Sequence, residues 1–200
     1  MDNHYNKLKN IFEKNMGIVK RSDIDEGGIP YRQLMKFIKN GTIIRLKRGV
    51  YQWLDGIDKD EVEILFELIP EAILCRESAL LYHGYTDRTP HYFSIALKRD
   101  SNKSKAKLSY PLVKAYYLNP QYLDVGLMEG DINGVSVRVY NKERTICDVL
   151  RYSNKLDQEI INKAIQAYVK DPEKNIALLI NYGNILRVSK KIQTQLGVWF

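Results

Sequence analysis

Cationic and amide side chains share one side of a short amphipathic segment, residues 30–40, near the start of the chain. These side chains are Arg32, Gln33, Lys36 and Lys39. Arginine and lysine donate hydrogen bonds to guanine, and glutamine pairs with adenine, in the major groove of DNA. The chemistry that this spacing predicts is the reading of base edges by one face of a helix.

The opposite side of the same segment is apolar. Leu34, Phe37 and Ile38 follow the i, i+3, i+4 spacing of a helix that buries one face, and Tyr31 is predicted to join them. Pro30 suits the first helical position, and Gly41 marks the end. The segment is therefore predicted to be a helix with an apolar back and a basic front.

A basic hairpin is predicted directly after this helix. Residues 42–46 and 50–54 alternate in polarity, as strands do, around the turn Lys47-Arg48-Gly49. This places Arg45, Lys47 and Arg48 at or near the tip of the hairpin. We expect these three cations to contact phosphates or the minor groove.

Two more helices are predicted upstream, at residues 4–14 and 20–26, and the glycine pair 27–28 forms the turn before the basic helix. Helix, helix, glycine turn, basic helix and basic hairpin is the order of a winged helix-turn-helix domain. Residues 1–54 are therefore predicted to bind double-stranded DNA. The alternative is a small helical domain whose cations only keep it soluble.

The distribution of charge agrees with this division of the chain. The net charge is +7. Residues 1–54 contain 11 Lys/Arg and 5 Asp/Glu, whereas residues 55–200 contain 20 and 19. A basic excess confined to one segment suggests a polyanionic partner for that segment, although a solvated basic surface would look the same.

Composition limits the class of protein. Hydrophobic residues make up 44% and charged residues 28% of the 200 positions, as in soluble globular proteins. No apolar run approaches the ~20 residues that cross a bilayer, and the first fifteen residues do not resemble a signal peptide. We expect a cytoplasmic protein without membrane contact, in which Cys75 and Cys147 are reduced core thiols.

Residues 55–200 are predicted to form a mixed α+β domain. The predicted elements are helices at 58–68 and 72–82, strands at 92–97, 113–118, 122–128 and 135–140, and helices at 142–152, 157–169, 172–182 and 184–195. Strands in one run with helices on both sides indicate this class. The basic segment 98–107 is predicted to be an exposed loop, and whether it touches DNA stays open.

A search of this second domain for catalytic chemistry finds no supported site. Cys75, His83, His91 and Cys147 lack the spacings of a metal site, and Ser94 lacks a nucleophile elbow. No glycine-rich phosphate loop follows a strand. The prediction is a protein that is not an enzyme and that has no metal or cofactor.

The tract from Asn141 to Tyr152 is rich in charge. Its charged residues are Lys142, Glu143, Arg144, Asp148 and Arg151. They can pair at i, i+3 and i, i+4 along one helix face. The prediction is a helix surface with salt bridges, not an active site.

Three tracts together resemble the AbiEi-type antitoxins of type IV abortive-infection toxin–antitoxin systems. The first is Gly-Thr-Ile-Ile-Arg-Leu-Lys-Arg-Gly-Val-Tyr at residues 41–51. The others are Ser-Ala-Leu-Leu-Tyr-His-Gly at 78–84 and Glu-Arg-Thr-Ile-Cys-Asp-Val-Leu-Arg at 143–151. They occur in matching order over nearly the whole chain.

This resemblance implies an antitoxin that represses its own operon by binding inverted repeats in the promoter. It also implies neutralisation of a cognate nucleotidyltransferase-like toxin, without a stable complex, and assigns that activity to residues 55–200. The two tracts of the second domain are then expected to determine its fold.

Two other functions remain open at this point. A winged-helix regulator could sense a small ligand through its second domain, and ligand-dependent melting or DNA affinity would reveal it. An enzyme acting on nucleic acid would need clustered acids or a metal, which the sequence does not show.

Overall fold

The computed structural model describes residues 3–56 and 59–197. Contacts divide the chain into two compact units. Met1–Leu65 with Lys107–Leu112 form the first, and Phe66–Ala106 with Val113–Phe200 form the second. A functional division after residue 54 stays a prediction.

The first unit contains three helices and a three-stranded antiparallel sheet in the order β1-β3-β2. Its elements are α1 (Asn3–Lys14), β1 (Ile18–Lys20), α2 (Arg21–Glu26), α3 (Tyr31–Lys39), β2 (Ile43–Lys47) and β3 (Val50–Trp53). The predicted hairpin and the predicted basic helix are both present. The chain is an α+β protein whose amino-terminal domain is a winged helix-turn-helix, as the sequence indicates.

One continuous core holds these elements together. It joins the apolar faces of the three helices to the sheet through Leu8, Phe12, Val19, Ile24, Ile29, Leu34, Phe37, Ile43, Tyr51 and Trp53. The helical spacing of Leu8 and Phe12 on α1 places both side chains on the face that packs against the sheet, with the Phe12 and Trp53 ring centres 5.4 Å apart. This packing fixes α3 and the hairpin on a common base.

Ile18 and Val19 form a strand, although the sequence suggested that they lead into the second helix. β1 pairs with β3, with Ile18 opposite Gln52 and Val19 opposite Tyr51. Three residues are too few for a period-two pattern to be visible. The third strand closes the sheet beside the hairpin, and the helix begins only at Arg21.

A segment distant in sequence completes the first unit. The backbone N–H groups of Ser109 and Tyr110 both donate to the carbonyl oxygen of Leu46, at 2.6 and 3.3 Å. Leu46 lies where the β2–β3 register shifts between Arg45 and Lys47, so its carbonyl is available outside the ladder. Residues 107–112 therefore support β2 close to the turn of the hairpin.

The second unit contains a five-stranded mixed sheet in the order β6-β5-β4-β8-β7. Its strands are β4 (Ile73–Leu74), β5 (Phe93–Lys98), β6 (Val113–Leu118), β7 (Leu127–Ile132) and β8 (Val135–Tyr140). Its helices are α5 (Arg76–Tyr82), α6 (Pro120–Leu123), α7 (Lys142–Arg151), α8 (Gln158–Lys170), α9 (Ile176–Ile185) and α10 (Ser189–Leu196). The helix α4 (Glu61–Leu68) contains the division between the units, and the predicted start of this helix at Asp58 lies outside the described residues.

Two segments of this unit differ in type from the sequence prediction, and the last two helices begin four to five residues later than predicted, at Ile176 and Ser189. Residues 73–74 form the central strand β4, which pairs with β5 and β8, instead of the start of a helix. Residues 120–123 form the short helix α6, so the strand predicted at 122–128 begins only at Leu127. Pro120 favours a first helical turn, and this local signal prevails over the alternation that follows it.

Helices α7 to α10 bury an apolar core of their own around Ile146, Val149, Leu150, Leu179 and Ile192. No helix within residues 3–56 and 59–197 combines the length and the apolarity that a membrane span requires.

Three charged residues of α7, Glu143, Arg144 and Asp148, are buried, so the predicted surface position of this face is wrong, although the i, i+4 pair of Arg144 and Asp148 forms. Arg144 is 0% exposed and Asp148 4% exposed, and their Nε and Oδ2 atoms are 3.2 Å apart. Arg144 Nη1 also donates to the carbonyl oxygens of Tyr122 and Val125, each at 2.7 Å. The arginine thus ties α7 to the loop before β7, which charge spacing alone does not reveal.

Candidate nucleic-acid interface

The turn between α2 and α3 sets the direction of the basic helix. Gly28 has a φ of +68°, which glycine adopts without steric cost, and its N–H donates to the Asp25 carbonyl at 2.9 Å. Ile29 is buried in the core, and Pro30 caps α3 in an extended conformation instead of forming its first turn. The chain therefore changes direction between α2 and α3 within four residues, and one face of α3 is exposed to solvent.

The exposed face of α3 carries three of the predicted cations. Arg32, Lys36 and Lys39 are all exposed. Within the described part of the chain, no carboxylate pairs with any of the three, whereas Lys9 on α1 pairs with Glu13. From Arg32 to Lys39 the helix presents uncompensated positive charge over about 10 Å, which suits an anionic groove.

Gln33, the fourth residue predicted on this face, is only half exposed. Its side-chain Oε1 is buried and accepts no hydrogen bond from the described residues. A buried amide oxygen without a donor is costly, typically about 1–3 kcal/mol. Gln33 lies at the border between the basic face and the core.

Two further residues of the exposed face escaped the sequence prediction. Tyr31, expected to point inward, is 56% exposed, and Met35 is 41% exposed. The guanidinium carbon of Arg21 lies 5.3 Å from the centre of the Tyr31 ring. Tyr31 and Met35 follow the i, i+4 spacing that continues to Lys39, and this pattern could have placed both on the solvent-exposed face. Apolar groups at such positions can contact the methyl group of thymine.

The hairpin adds the remaining predicted cations. Arg45 and Arg48 are exposed, and Lys47 is half exposed. Arg45 Nε donates to the Lys47 carbonyl at 3.3 Å across the register shift, which directs this side chain along the hairpin. The turn itself uses Gly49 at a φ of +75°.

A backbone hydrogen bond connects the hairpin to the helices. The N–H of Arg21, at the start of α2, donates to the Gly49 carbonyl at 2.8 Å. The turn is thereby held beside the helix-turn-helix through main-chain atoms of the same unit. The structure brings together on one unit all seven predicted site residues, with Gln33 partly withdrawn: Arg32, Gln33, Lys36, Lys39, Arg45, Lys47 and Arg48.

The thiols and His83 serve the packing of the second unit, whereas His91 is exposed. Cys75 and Cys147 are buried and free, and burial raises the pKa of both thiols, that of Cys147 to about 12. His83 Nε2 donates to the Tyr140 carbonyl at 2.7 Å, and burial lowers the pKa of its ring. No cluster of three or more metal-ligating side chains occurs in residues 3–56 and 59–197.

Ser94 is likewise engaged in packing. It is fully buried, its N–H donates to Ser78 Oγ at 2.8 Å, and its hydroxyl donates to Glu77 Oε2 at 3.0 Å. These bonds join β5 to α5, within and beside the tract 78–84. The role of this serine in the structure is to fix the packing of α5 on the sheet.

Comparison with solved structures shows the fold of the chain in another protein. The RV2827C protein from Mycobacterium tuberculosis has a crystal structure similar to this chain with a TM-score of 0.57 and 12% identity. The similarity covers 98% of this chain and 82% of that one. At this identity the likeness concerns the fold alone. No curated protein matches the sequence.

Comparison with protein families identifies the first domain. Residues 6–52 match the family described as "Transcriptional regulator, AbiEi antitoxin". The matched segment begins in α1 and ends in β3, so it spans α3 and the whole hairpin turn. The resemblance noted in the sequence is confirmed for this segment: residues 6–52 are similar to the AbiEi antitoxin family of transcriptional regulators, and the tracts at 78–84 and 143–151 lie outside the match.

Proposed function

We propose that this chain is the antitoxin of a type IV toxin–antitoxin system that acts in abortive infection. It represses its own operon by binding inverted repeats in the promoter and neutralises a nucleotidyltransferase-like toxin in the cytoplasm. The observation that carries the proposal is the coincidence of the AbiEi antitoxin match, residues 6–52, with a surface of cations that lack carboxylate partners on α3.

The DNA-binding step assigns separate roles to the helix and the hairpin. α3 enters the major groove, where Arg32, Gln33 and Lys36 meet base edges and Lys39 meets a phosphate. Arg45, Lys47 and Arg48 contact backbone phosphates or the minor groove beside it. Base contacts supply the sequence preference, and the hairpin supplies affinity without sequence preference.

The twofold symmetry of an inverted repeat determines how many chains bind one operator. Each chain has one α3, and an inverted repeat presents two half-sites related by a twofold axis. Two copies therefore bind one operator, with their α3 helices in successive major grooves.

The antitoxin activity is assigned to residues 55–200. This part holds nearly balanced charge, 20 Lys/Arg and 19 Asp/Glu, so it has no general attraction for nucleic acid as a whole. It neutralises the toxin without forming a stable complex, as the resemblance implies. Its size far exceeds what a dimerisation appendage needs.

Gel-shift titration of the promoter of the chain's own operon tests the DNA-binding part. The parent chain is expected to shift the promoter fragment, and an unrelated duplex is expected to compete only weakly for the chain. The Arg32→Ala/Lys36→Ala double variant is expected to produce no shift. Lys9→Ala removes an exposed cation that is paired with Glu13 and serves as the matched control. Operator binding by the double variant equal to that of the control would refute the assignment.

A ligand-sensing regulator is the second candidate, because the second unit contains a pocket of about 430 Å³. Thr86, Arg88, His91 and Ile160 are among the residues that line it. A ligand of this pocket would raise the melting temperature of the chain and change its affinity for the operator. A metabolite screen by thermal shift, followed by operator titration with each hit, separates this function from the first.

A further inference from the structure

A row of alternating tyrosines and cations runs across the second unit. The guanidinium carbon of Arg76 lies 3.4 Å from the centre of the Tyr116 ring and 3.5 Å from that of Tyr152. Lys114 Nζ lies 5.8 Å from the Tyr116 ring and 4.9 Å from the Tyr92 ring, and it donates to the Tyr92 hydroxyl at 3.1 Å. Arg76 is thus held between two rings, and Lys114 extends the row.

The row continues beyond Tyr152. The guanidinium carbon of Arg151 lies 5.7 Å from the ring centres of both Tyr152 and Tyr122. We call the whole set the tyrosine–cation ladder; it consists of Tyr92, Lys114, Tyr116, Arg76, Tyr152, Arg151 and Tyr122. Tyrosines and cations alternate along its whole length.

The fold explains why these residues meet although they are far apart in sequence. Lys114 and Tyr116 are two positions apart on β6 and so share one face of the sheet. β6 is an edge strand, which leaves this face open on one side. Arg76 begins α5, and Arg151 ends α7. The ladder reaches the surface at Lys114, which is exposed, whereas Arg76 is buried and the other members are partly buried.

The three cations of the ladder differ from other lysines of the same unit because no salt bridge joins them to an acid, although the buried carboxyl of Asp148 lies close enough to interact with the charges of Arg76 and Arg151. Lys105 pairs with Glu71, Lys142 with Asp171 and Glu173, and Lys163 with Asp87 and Glu159. Among the described residues, no carboxylate forms an ion pair with Arg76, Lys114 or Arg151. The ladder therefore keeps a local positive charge on a unit whose charges otherwise nearly cancel.

Arg76 gives the strongest indication of a ligand. It is only 9% exposed, no described residue accepts a hydrogen bond from its guanidinium, and its nitrogens are not among the buried atoms that lack a partner, so they remain in contact with solvent. Its backbone has a φ of +48°, a conformation that costs a non-glycine residue about 1–3 kcal/mol. A site that only needed packing would be filled by an apolar side chain without these costs. A guanidinium fixed by two rings and lacking an acceptor is a preorganised donor for an anion.

We propose that the tyrosine–cation ladder binds single-stranded nucleic acid. Lys114, Arg76 and Arg151 bind successive phosphates, and the two end rings, Tyr92 and Tyr122, which each contact one cation of the ladder, give unpaired bases surfaces on which to stack. A duplex keeps its base faces inside the stack, so the alternation of ring and cation favours a single strand. Tyr92, at one end of the ladder, also lines the pocket of about 430 Å³, which gives a terminal base room to enter.

Fluorescence anisotropy on the full chain tests this proposal with labelled strands of about 12 nucleotides, one of oligo(U) and one of oligo(dT). Lys114→Ala, Arg151→Ala and Tyr116→Leu are each expected to weaken strand binding roughly 5- to 10-fold. Tyr116→Phe keeps the ring and is expected to bind like the parent. Lys114→Ala should also lower the log–log salt dependence by about 0.7. The better of the two strands identifies RNA or DNA as the source of the ligand.

Two control variants locate the effect. Lys163→Ala removes an exposed cation that is paired with Asp87 and Glu159, and it is expected to leave strand binding unchanged. Arg32→Ala/Lys36→Ala tests the first unit, and it is expected to leave strand binding largely intact.

Three results would overturn the proposal. The first is parent-like strand binding by Lys114→Ala and Arg151→Ala, whose melting temperatures verify the fold. The second is an equal reduction of strand and duplex binding in both variants, which would assign the ladder to duplex phosphates. The third is binding of a single nucleotide as tight as that of the strand, which would assign the pocket to a small ligand.

Discussion

Arg32 and Lys36 lie one helical turn apart on the open face of α3, and neither has a carboxylate partner among the described residues. A cation without an ion pair in the free protein breaks none when it binds DNA, so no such loss offsets its interaction with a base or phosphate. Residues of this kind dominate recognition, whereas paired surface cations contribute little.

At the level of single residues, Arg32→Ala is expected to relax sequence preference. Removing a bidentate interaction with guanine should lower the operator affinity by about 1–3 kcal/mol and the affinity for an unrelated duplex by less. Anisotropy titration with operator and scrambled duplexes measures both. Lys9→Ala, with its cation already paired, provides the baseline; an unchanged ratio of the two affinities would contradict a base-reading role for Arg32.

Gln33→Ala distinguishes a base contact from a packing role. The buried Oε1 of Gln33 has no donor among the described residues, so its removal is expected to leave the melting temperature unchanged or slightly raised. If the amide turns to pair with adenine in the complex, operator affinity still falls, by about 1–3 kcal/mol. Thermal melting and operator titration of the same variant give the answer. A lower melting temperature with unchanged operator affinity would assign Gln33 to the core.

Among the elements, the β2–β3 hairpin is the one that we propose to bind DNA through charge alone. Its cations lie near a turn that is fixed to α2 through the Arg21–Gly49 hydrogen bond. Neutralising Arg45, Lys47 and Arg48 together is expected to weaken binding to all duplexes alike. The log–log salt slope should fall by about one for each phosphate that the hairpin no longer neutralises. Titration at several salt concentrations measures this slope, and an unchanged slope would show that the hairpin points away from DNA.

The contact between the end of α8 and the start of α7, made by Asp171 and Lys142, carries the clearest pH dependence. Burial alone would raise the pKa of Asp171, but hydrogen bonds from the Tyr85 hydroxyl at 2.6 Å and from Lys142 at 2.9 Å lower it to about 2. Because this folded-state pKa lies below the ordinary value of 3.8, Asp171 stabilises the fold above about pH 4 and loses this effect as the pH falls toward 2. Asp171→Asn should lower the free energy of unfolding at pH 7 by about 2 kcal/mol.

Urea unfolding at pH 7 and between pH 4 and 2 tests this expectation. The parent and Asp171→Asn curves should converge as the pH falls. Glu173→Gln removes an exposed carboxylate that contacts the same Lys142, and it is expected to change stability little. A constant difference between parent and Asp171→Asn across this pH range would exclude the carboxylate as its cause.

The elements recognisable from the sequence are those long enough to show a period. Residues 31–39, 113–118 and 135–140 are predicted within a residue or two of their observed bounds, whereas β1 and β4, with three and two residues, are missed. Such short strands exist because neighbouring strands pair with them, and no local pattern encodes that.

Burial of polar side chains is equally invisible in the sequence. Arg144 follows the i, i+4 spacing of a surface salt bridge, yet carbonyl groups of residues 122 and 125 bind its guanidinium. Gly126 permits this approach, because a Cβ there would collide with the side chain of Arg144. For the candidate site, helical spacing predicts the exposed cations correctly, but the rotation of α3 against the core decides that Tyr31 is outside and the Gln33 oxygen inside.

For the molecule as a whole, charge and family point to two functions on one chain. Residues 1–54 hold the basic excess and the whole AbiEi antitoxin match, while residues 55–200 hold a separate sheet, a separate helical core and nearly balanced charge. A domain that only brought two DNA-binding units together would not need about 145 residues. Repression and antitoxicity are therefore expected to be separable.

Co-expression with the gene adjacent to this one tests that separation. Arg32→Ala/Lys36→Ala is expected to abolish operator binding yet still restore growth in the presence of the toxin, because both side chains are exposed and their removal should cost little stability. Residues 1–54 alone should bind DNA weakly and restore nothing, whereas Lys9→Ala should retain both functions. If the double variant keeps its circular dichroism spectrum but no longer restores growth, antitoxicity itself operates through DNA, and a single DNA-bound function must replace the two proposed here.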